Sequence, residues 1–160
     1  MSNLDALNSD FRDIVAAFAE EGVEFMIVGG YAVSFHGYAR TTGDIDLWVH
    51  PTTTNAQRVW RALLRFGAPV AALGIRAADF VTADTVVQFG MPPRRIDLLT
   101  GITGVTFDEA WAARSNVTWR GRSVAFIGIE ELLRNKRATG RTKDLLDAEE
   151  LTRHPRDPRG

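Results

Sequence analysis

A chain of 160 residues with 45% hydrophobic content is long enough for one domain that buries roughly 70% of its unfolded surface, and leaves no room for a second. It has no cysteine, which excludes disulfides, thiolate metal sites and a cysteine nucleophile, and suits a cytosolic protein. A net charge of −1 argues against nonspecific nucleic-acid binding through the whole surface.

The opening MSNLDALNSDFRD is polar and acidic where a secretion signal is basic and then apolar. No run approaches the ~18 apolar residues of a membrane span, so a soluble, cytoplasmic protein with no membrane contact is expected. Leu4, Leu7, Phe11, Ile14, Val15 and Phe18 recur at three- and four-residue spacing, which predicts an amphipathic helix over Leu4 to Glu21 closed by Gly22. Val23 to Val28 is short, β-branched and aromatic, and reads as a buried strand ended by Gly29 and Gly30.

Tyr31 to Phe35 or His36 forms a short helix stopping at Gly37. Asp44 to Val49 alternates like a half-buried strand until Pro51. A helix over Thr53 to Phe66 ends at Gly67, and 68–83 reads as loop with one helical turn. Thr85 to Phe89 and Arg95 to Thr100 read as a hairpin across Gly90-Met91-Pro92-Pro93. A short helix over Phe107 to Ala113 follows. Val117 to Arg120 and Ser123 to Ile127 flank Gly121-Arg122 as a second hairpin, and two helices, Ile129 to Thr139 and Thr142 to Thr152, close the chain. A single domain is therefore expected over 1–152, with a charged, frayed tail over 153–160.

Chemistry concentrates in VGGYAVSFHGYARTTGDIDLWV, residues 28–49. Alternation puts Asp44, Asp46 and Trp48 on one strand face and Ile45, Leu47 and Val49 on the other, so the first face is expected to be free and the second to be core. Two carboxylates about 6.5–7 Å apart on one face repel each other unless they converge on hard cations. A bare Asp-x-Asp is more often a solvated pair, and context decides. The Gly29-Gly30 turn leaves a strand and opens a helix, a backbone that accepts a close phosphate. Trp48 and Val49 exclude an EF-hand, and no Walker loop or Gly-x-Gly-x-x-Gly is present.

Asp97 faces away from Ile96 and Leu98, adding a third strand carboxylate that stands at a sheet edge or beside the first two. Lys136 falls on the apolar stripe of Ile129, Leu132 and Leu133. An inward lysine there needs a phosphate or a carboxylate, unless it snorkels from the stripe's edge. Asp144 and Asp147 share a stripe with Ala148 and Leu151, and Asp144 also suits the positive end of its helix. Arg134, Lys136, Arg137, Arg141 and Lys143 make a basic patch. Tyr31, Tyr38 and Trp48 are candidates to stack on a base or to fill the core, and His36 reads as capping or packing.

These residues resemble the nucleotidyltransferases related to DNA polymerase beta, which share a glycine-rich turn, an Asp-x-Asp on the next strand and a third Asp on a later one. The ending EELLRNKRATGRTKDLLDAEEL resembles the abortive-infection toxin branch and its small relatives, which points to Lys136, Lys143 and Asp144. The resemblance implies a mixed α/β sheet of about four to six strands with helices on its faces. It implies transfer of a nucleoside monophosphate from an NTP to a hydroxyl acceptor, which would be tRNA or other RNA, a partner protein or a small molecule.

By the same resemblance, Asp44, Asp46 and Asp97 would hold Mg2+ or Mn2+, and Asp97 would help deprotonate the acceptor. Gly29, Gly30 and Lys136 would hold the triphosphate, with Arg40, Thr42, Lys143 and Asp144 as further nucleotide contacts. Gly30 stands where many members carry serine, although the tRNA-end-building branch also uses Gly-Gly, and a complete CCA-adding enzyme is not expected. The competing expectation is a catalytically silent nucleotide- or partner-binding module, such as the antitoxin-like half of a toxin–antitoxin pair.

Overall fold

The computed structural model describes residues 3–39 and 43–153. In chain order the elements are α1 (Ser9–Glu20), β1 (Phe25–Val28), α2 (Gly29–Phe35), β2 (Ile45–Val49), α3 (Thr53–Phe66), β3 (Val86–Phe89), β4 (Ile96–Leu99), α4 (Phe107–Ala112), β5 (Ser115–Trp119), β6 (Arg122–Phe126), α5 (Ile129–Thr139) and α6 (Thr142–Arg153). Short 3-10 turns cover Asn3–Ala6 and Ala77–Val81, the second being the single helical turn expected in 68–83.

The six strands form one mixed sheet in the order β3-β4-β2-β1-β6-β5. β1 runs antiparallel to β2 and parallel to β6, β2 runs parallel to β4, and the outer strands β3 and β5 close antiparallel hairpins. This is the mixed sheet with flanking helices that the sequence resemblance implies. Among the described residues, no helix is long and apolar enough to cross a membrane.

Boundaries shift by one or two residues at several elements, and two differences have a clear local cause. The expected first helix breaks into a 3-10 turn and α1, because the Asn8 side chain accepts from the Phe11 N–H at 3.0 Å and starts a new helix. Leu4 and Leu7 still point into the core, so their spacing was informative about burial and not about helical continuity. The β5–β6 turn is Arg120-Gly121, not Gly121-Arg122: both residues have positive φ, 52° and 75°, as a two-residue hairpin turn requires. α2 starts at Gly29 and not at Tyr31, so the glycine pair opens the helix as the sequence leads one to expect.

Helices α1 and α3 pack on each other and bury Phe11, Ile14, Phe18, Val59 and Leu63. Asn55 at the start of α3 is buried and fully used. It accepts from the Glu24 N–H at 2.7 Å and donates to the carbonyls of Glu24 and His50 at 3.0 and 2.9 Å, tying the outer ends of β1 and β2 to α3. α5 packs on α6 and touches α2. The sheet centre thus carries β1, β2 and β4, whose ends hold the glycine turn and the carboxylates.

Candidate active site

The parallel pairing of β2 with β4 places Asp46 directly opposite Asp97. Asp44 immediately precedes β2, and Val28, the last residue of β1, pairs with Asp46 from the other side. Three carboxylates and the glycine turn therefore meet at one edge of three central strands. Asp97 is not at a sheet edge, since β3 covers β4 on its far side.

Gly29 is dictated by this meeting. Its φ is +67°, and a Cβ there would run into the Asp46 carboxylate. Any side chain would strain the backbone and push Asp46 away. Gly30 is buried behind it, and both glycines line a cleft of about 330 Å3. Asp44 and Asp46 line the same cleft, with Lys136, Arg141, Lys143 and Asp144 from α5, α6 and the turn between them. Arg40 and Thr42 lie outside the described residues.

Burial raises the Asp46 pKa, and the neighbouring Asp97, through its charge and a hydrogen bond, and Asp44 add to this. Lys136 opposes the rise, and the net value is about 7. Two carboxylates this close share a proton near neutrality or gain a cation. Arg95 supplies positive charge to the other two: it donates to Asp44 at 2.7 Å and to both oxygens of Asp97 at 2.9 and 3.2 Å. Arg95 was absent from the sequence-predicted site, although strand alternation puts it on the face of Asp97, two residues away.

Lys136 is buried, as its position on an apolar stripe requires, and its partners come from the next helix. Its Nζ lies 3.3 Å from Asp144 Oδ1 and 3.3 Å from Asp147 Oδ2, both carboxylates being buried on α6. Asp144 also accepts from Thr139 at 2.8 Å and from Arg141 at 2.7 Å. Burial pushes the Asp144 pKa up, but the hydrogen bonds from Arg141 and Thr139 and the Lys136 charge outweigh it, and the net shift is downward. Asp144 therefore stays ionised and positions Lys136 and Arg141. Arg141 is a cleft residue that sequence placed only in the basic patch; its i, i+3 spacing to Asp144 was the available signal.

Elsewhere in the basic patch, Arg134 pairs with Glu109 at 2.6 Å and Arg137 donates to Thr152. His36 packs and hydrogen-bonds, its Nε2 lying 2.7 Å from the Ile127 carbonyl. Trp48 departs from the expected free face of β2. It is 1% exposed and meets Phe107 of α4 edge-on at 5.2 Å, because α4 covers that face beyond Asp46. A base cannot stack there. Tyr31 is half-buried and meets Phe11 edge-on, close enough to Asp44 that burial and that charge raise its pKa.

A mixed sheet that gathers Asp44, Asp46 and Asp97 beside a glycine turn is the nucleotidyltransferase fold, and solved structures share it. The lincosamide antibiotic adenylyltransferase LnuA, lincomycin-bound, superposes with a TM-score of 0.53 at 15% identity over 91% of this chain and 96% of its own. A provisional nucleotidyltransferase of Thermotoga maritima (TM1012) gives 0.53 at 14% identity over 89% and 88%. Likeness at this identity is one of fold. In sequence, the chain belongs to the family described as "Nucleotidyl transferase of unknown function (DUF2204)", whose model matches residues 7–156. No curated protein matches it significantly.

Proposed function

We propose that the protein is a metal-dependent nucleotidyltransferase that moves a nucleoside monophosphate from an NTP to a hydroxyl acceptor. The observation that carries this reading is the placing of Asp44 and Asp46 beside the Gly29 turn in a cleft that also presents Lys136, Arg141 and Lys143, with Asp97 in register behind Asp46.

The donor set fits Mg2+ or Mn2+. It is all carboxylate oxygen, and Asp46 is seated against a backbone that only glycine allows. Among the described residues, no group of three or more His, Asp or Glu is placed to hold a metal ion by itself; Mg2+ takes one or two carboxylates and fills its octahedron with phosphate oxygens and water. Asp44 and Asp46 would hold the ion, with Asp97 in register beside Asp46. A bound divalent cation neutralises charge that develops on the phosphate oxygens.

The chain's own residues do the rest. Gly29 and Gly30 offer backbone N–H groups with no side chain in the way, while Lys136, Lys143 and Arg141 supply positive charge for the triphosphate. Asp144 serves nucleotide binding by orienting Lys136 and Arg141. Arg40 and Thr42 are nucleotide contacts on the sequence resemblance alone. The acceptor oxygen bonds to the α-phosphorus, its proton passes to Asp97, and the bond to the bridging oxygen breaks to release pyrophosphate.

Incubation with each α-labelled NTP, Mg2+ or Mn2+, and pools of RNA, protein or small hydroxyl compounds tests the reading. The adenylyltransferase neighbour supports including the small compounds. Label should appear in one pool and vanish in Asp46→Asn; folded protein that labels nothing under any combination contradicts it. A second reading, a silent nucleotide- or partner-binding module of the antitoxin-like kind, draws on Arg95, which already neutralises Asp44 and Asp97. Nucleotide binding without transfer favours it.

A further inference from the structure

Arg95 precedes β4 and links it to the segment that leads into β2. Its Nη2 donates to Asp44 Oδ2 at 2.7 Å and to Asp97 Oδ2 at 3.2 Å, while its Nε donates to Asp97 Oδ1 at 2.9 Å. The two halves of this bridge differ. The Asp44 side chain is 34% exposed, whereas that of Asp97 is 9% exposed. The contact with Asp44 therefore opens to the cleft, and the paired contact with Asp97 is the buried anchor.

We propose that Arg95 is a positioning residue that acts as the resident counter-cation of the carboxylate cluster: it competes with a divalent cation for Asp44 and makes cation binding depend on the nucleotide. This rests on Asp44 being an ion-holding residue, as the proposed function has it. A guanidinium cannot shed its proton, so it leaves Asp44 as a full positive charge. A bare cation that takes Asp44 must break a charge-assisted hydrogen bond and then sit beside that charge. Together these effects lower its affinity by about tenfold or more.

A triphosphate changes the balance, because it offers the displaced guanidinium a new anion of matching geometry. Cation and nucleotide then favour each other's binding through one side chain, a coupling that must act equally in both directions. When Nη2 leaves Asp44 its longer bond to Asp97 Oδ2 loosens with it, and the 2.9 Å Nε contact is the one that keeps Asp97 oriented.

Calorimetric titration of Mn2+ alone, and of Mn2+ with the αβ-methylene analogues of ATP, GTP, CTP and UTP, tests this on the full chain, in wild type, Arg95→Gln and Arg95→Lys. Arg95→Gln should bind Mn2+ alone about tenfold tighter or more, and should gain less from the analogue than wild type does. Arg95→Lys should fall between them, since one ammonium serves one carboxylate at a time. Circular dichroism establishes that each variant is folded; if Arg95→Gln is not, the Arg95→Lys shift alone decides.

Wild-type binding of an Mn2+–analogue pair, with Mn2+ alone bound no tighter by the variants, overturns this inference and leaves the proposed function standing. Absence of binding by all three proteins, with or without analogue, overturns both.

Discussion

Asp46 and Asp97 face each other in register across the parallel strands β2 and β4, and their carboxyls hydrogen-bond to each other. Such a pair is stable only with a shared proton or a nearby cation. Burial and Asp97 raise the Asp46 pKa to about 7 from an ordinary 3.8.

The pH dependence of stability follows from that shift. A carboxyl that binds its proton more tightly when folded contributes stability that is fully present below about pH 4 and lost as pH rises through about 7. Thermal melts of wild type and Asp46→Asn from pH 4 to 8, without divalent cation, should show wild type losing on the order of a few kcal/mol relative to the variant across that window. Parallel curves would mean that Asp46 ionises normally. Because a cation must displace the shared proton, Mn2+ affinity should rise over the same range.

Gly29 and Gly22 separate backbone strain from loss of the site. Both have positive φ, +67° and +70°, but a Cβ at Gly22 meets nothing within 4 Å, whereas one at Gly29 strikes Asp46. Gly22→Ala should cost about 1 kcal/mol and leave nucleotide binding intact. Gly29→Ala should cost more and abolish Mg2+-dependent nucleotide binding, measured by denaturant titration and calorimetry.

Lys136 and Lys143 line the same cleft but differ in burial. Lys136→Met leaves Asp144 and Asp147 buried without their shared cation, a loss of about 3 kcal/mol or more. Lys143→Ala removes only an exposed charge, so stability should change by about 0.5 kcal/mol or less while nucleotide affinity falls. Urea melts and nucleotide titrations of the two variants distinguish scaffold from contact.

Much of this was legible in the sequence because local rules and tertiary demands agree. The six strands, the Gly67 and Gly140 helix ends, and the inward Lys136, Asp144 and Asp147 all follow from periodicity. Strand order was not legible, since pairing Asp46 with Asp97 is a non-local outcome that alternation allows without requiring. Trp48 misled for the same reason: period two assigns a face, but only the chain that packs there, here Phe107, decides whether that face is wet. Arg95 was overlooked because charge near a turn reads as solvated until two distant carboxylates close on it.

Thermal shift with Mg2+ and each NTP, on wild type and the Asp44→Ala, Asp46→Ala double variant, tests the site without knowledge of the acceptor. A ligand at about 100 times its Kd adds about 2.7 kcal/mol, which for a chain of this size raises Tm by about 5–10 °C. That rise is predicted with at least one Mg2+–NTP for wild type and not for the double variant. An equal rise in both proteins, or none in wild type, would contradict the placement of the nucleotide at these carboxylates.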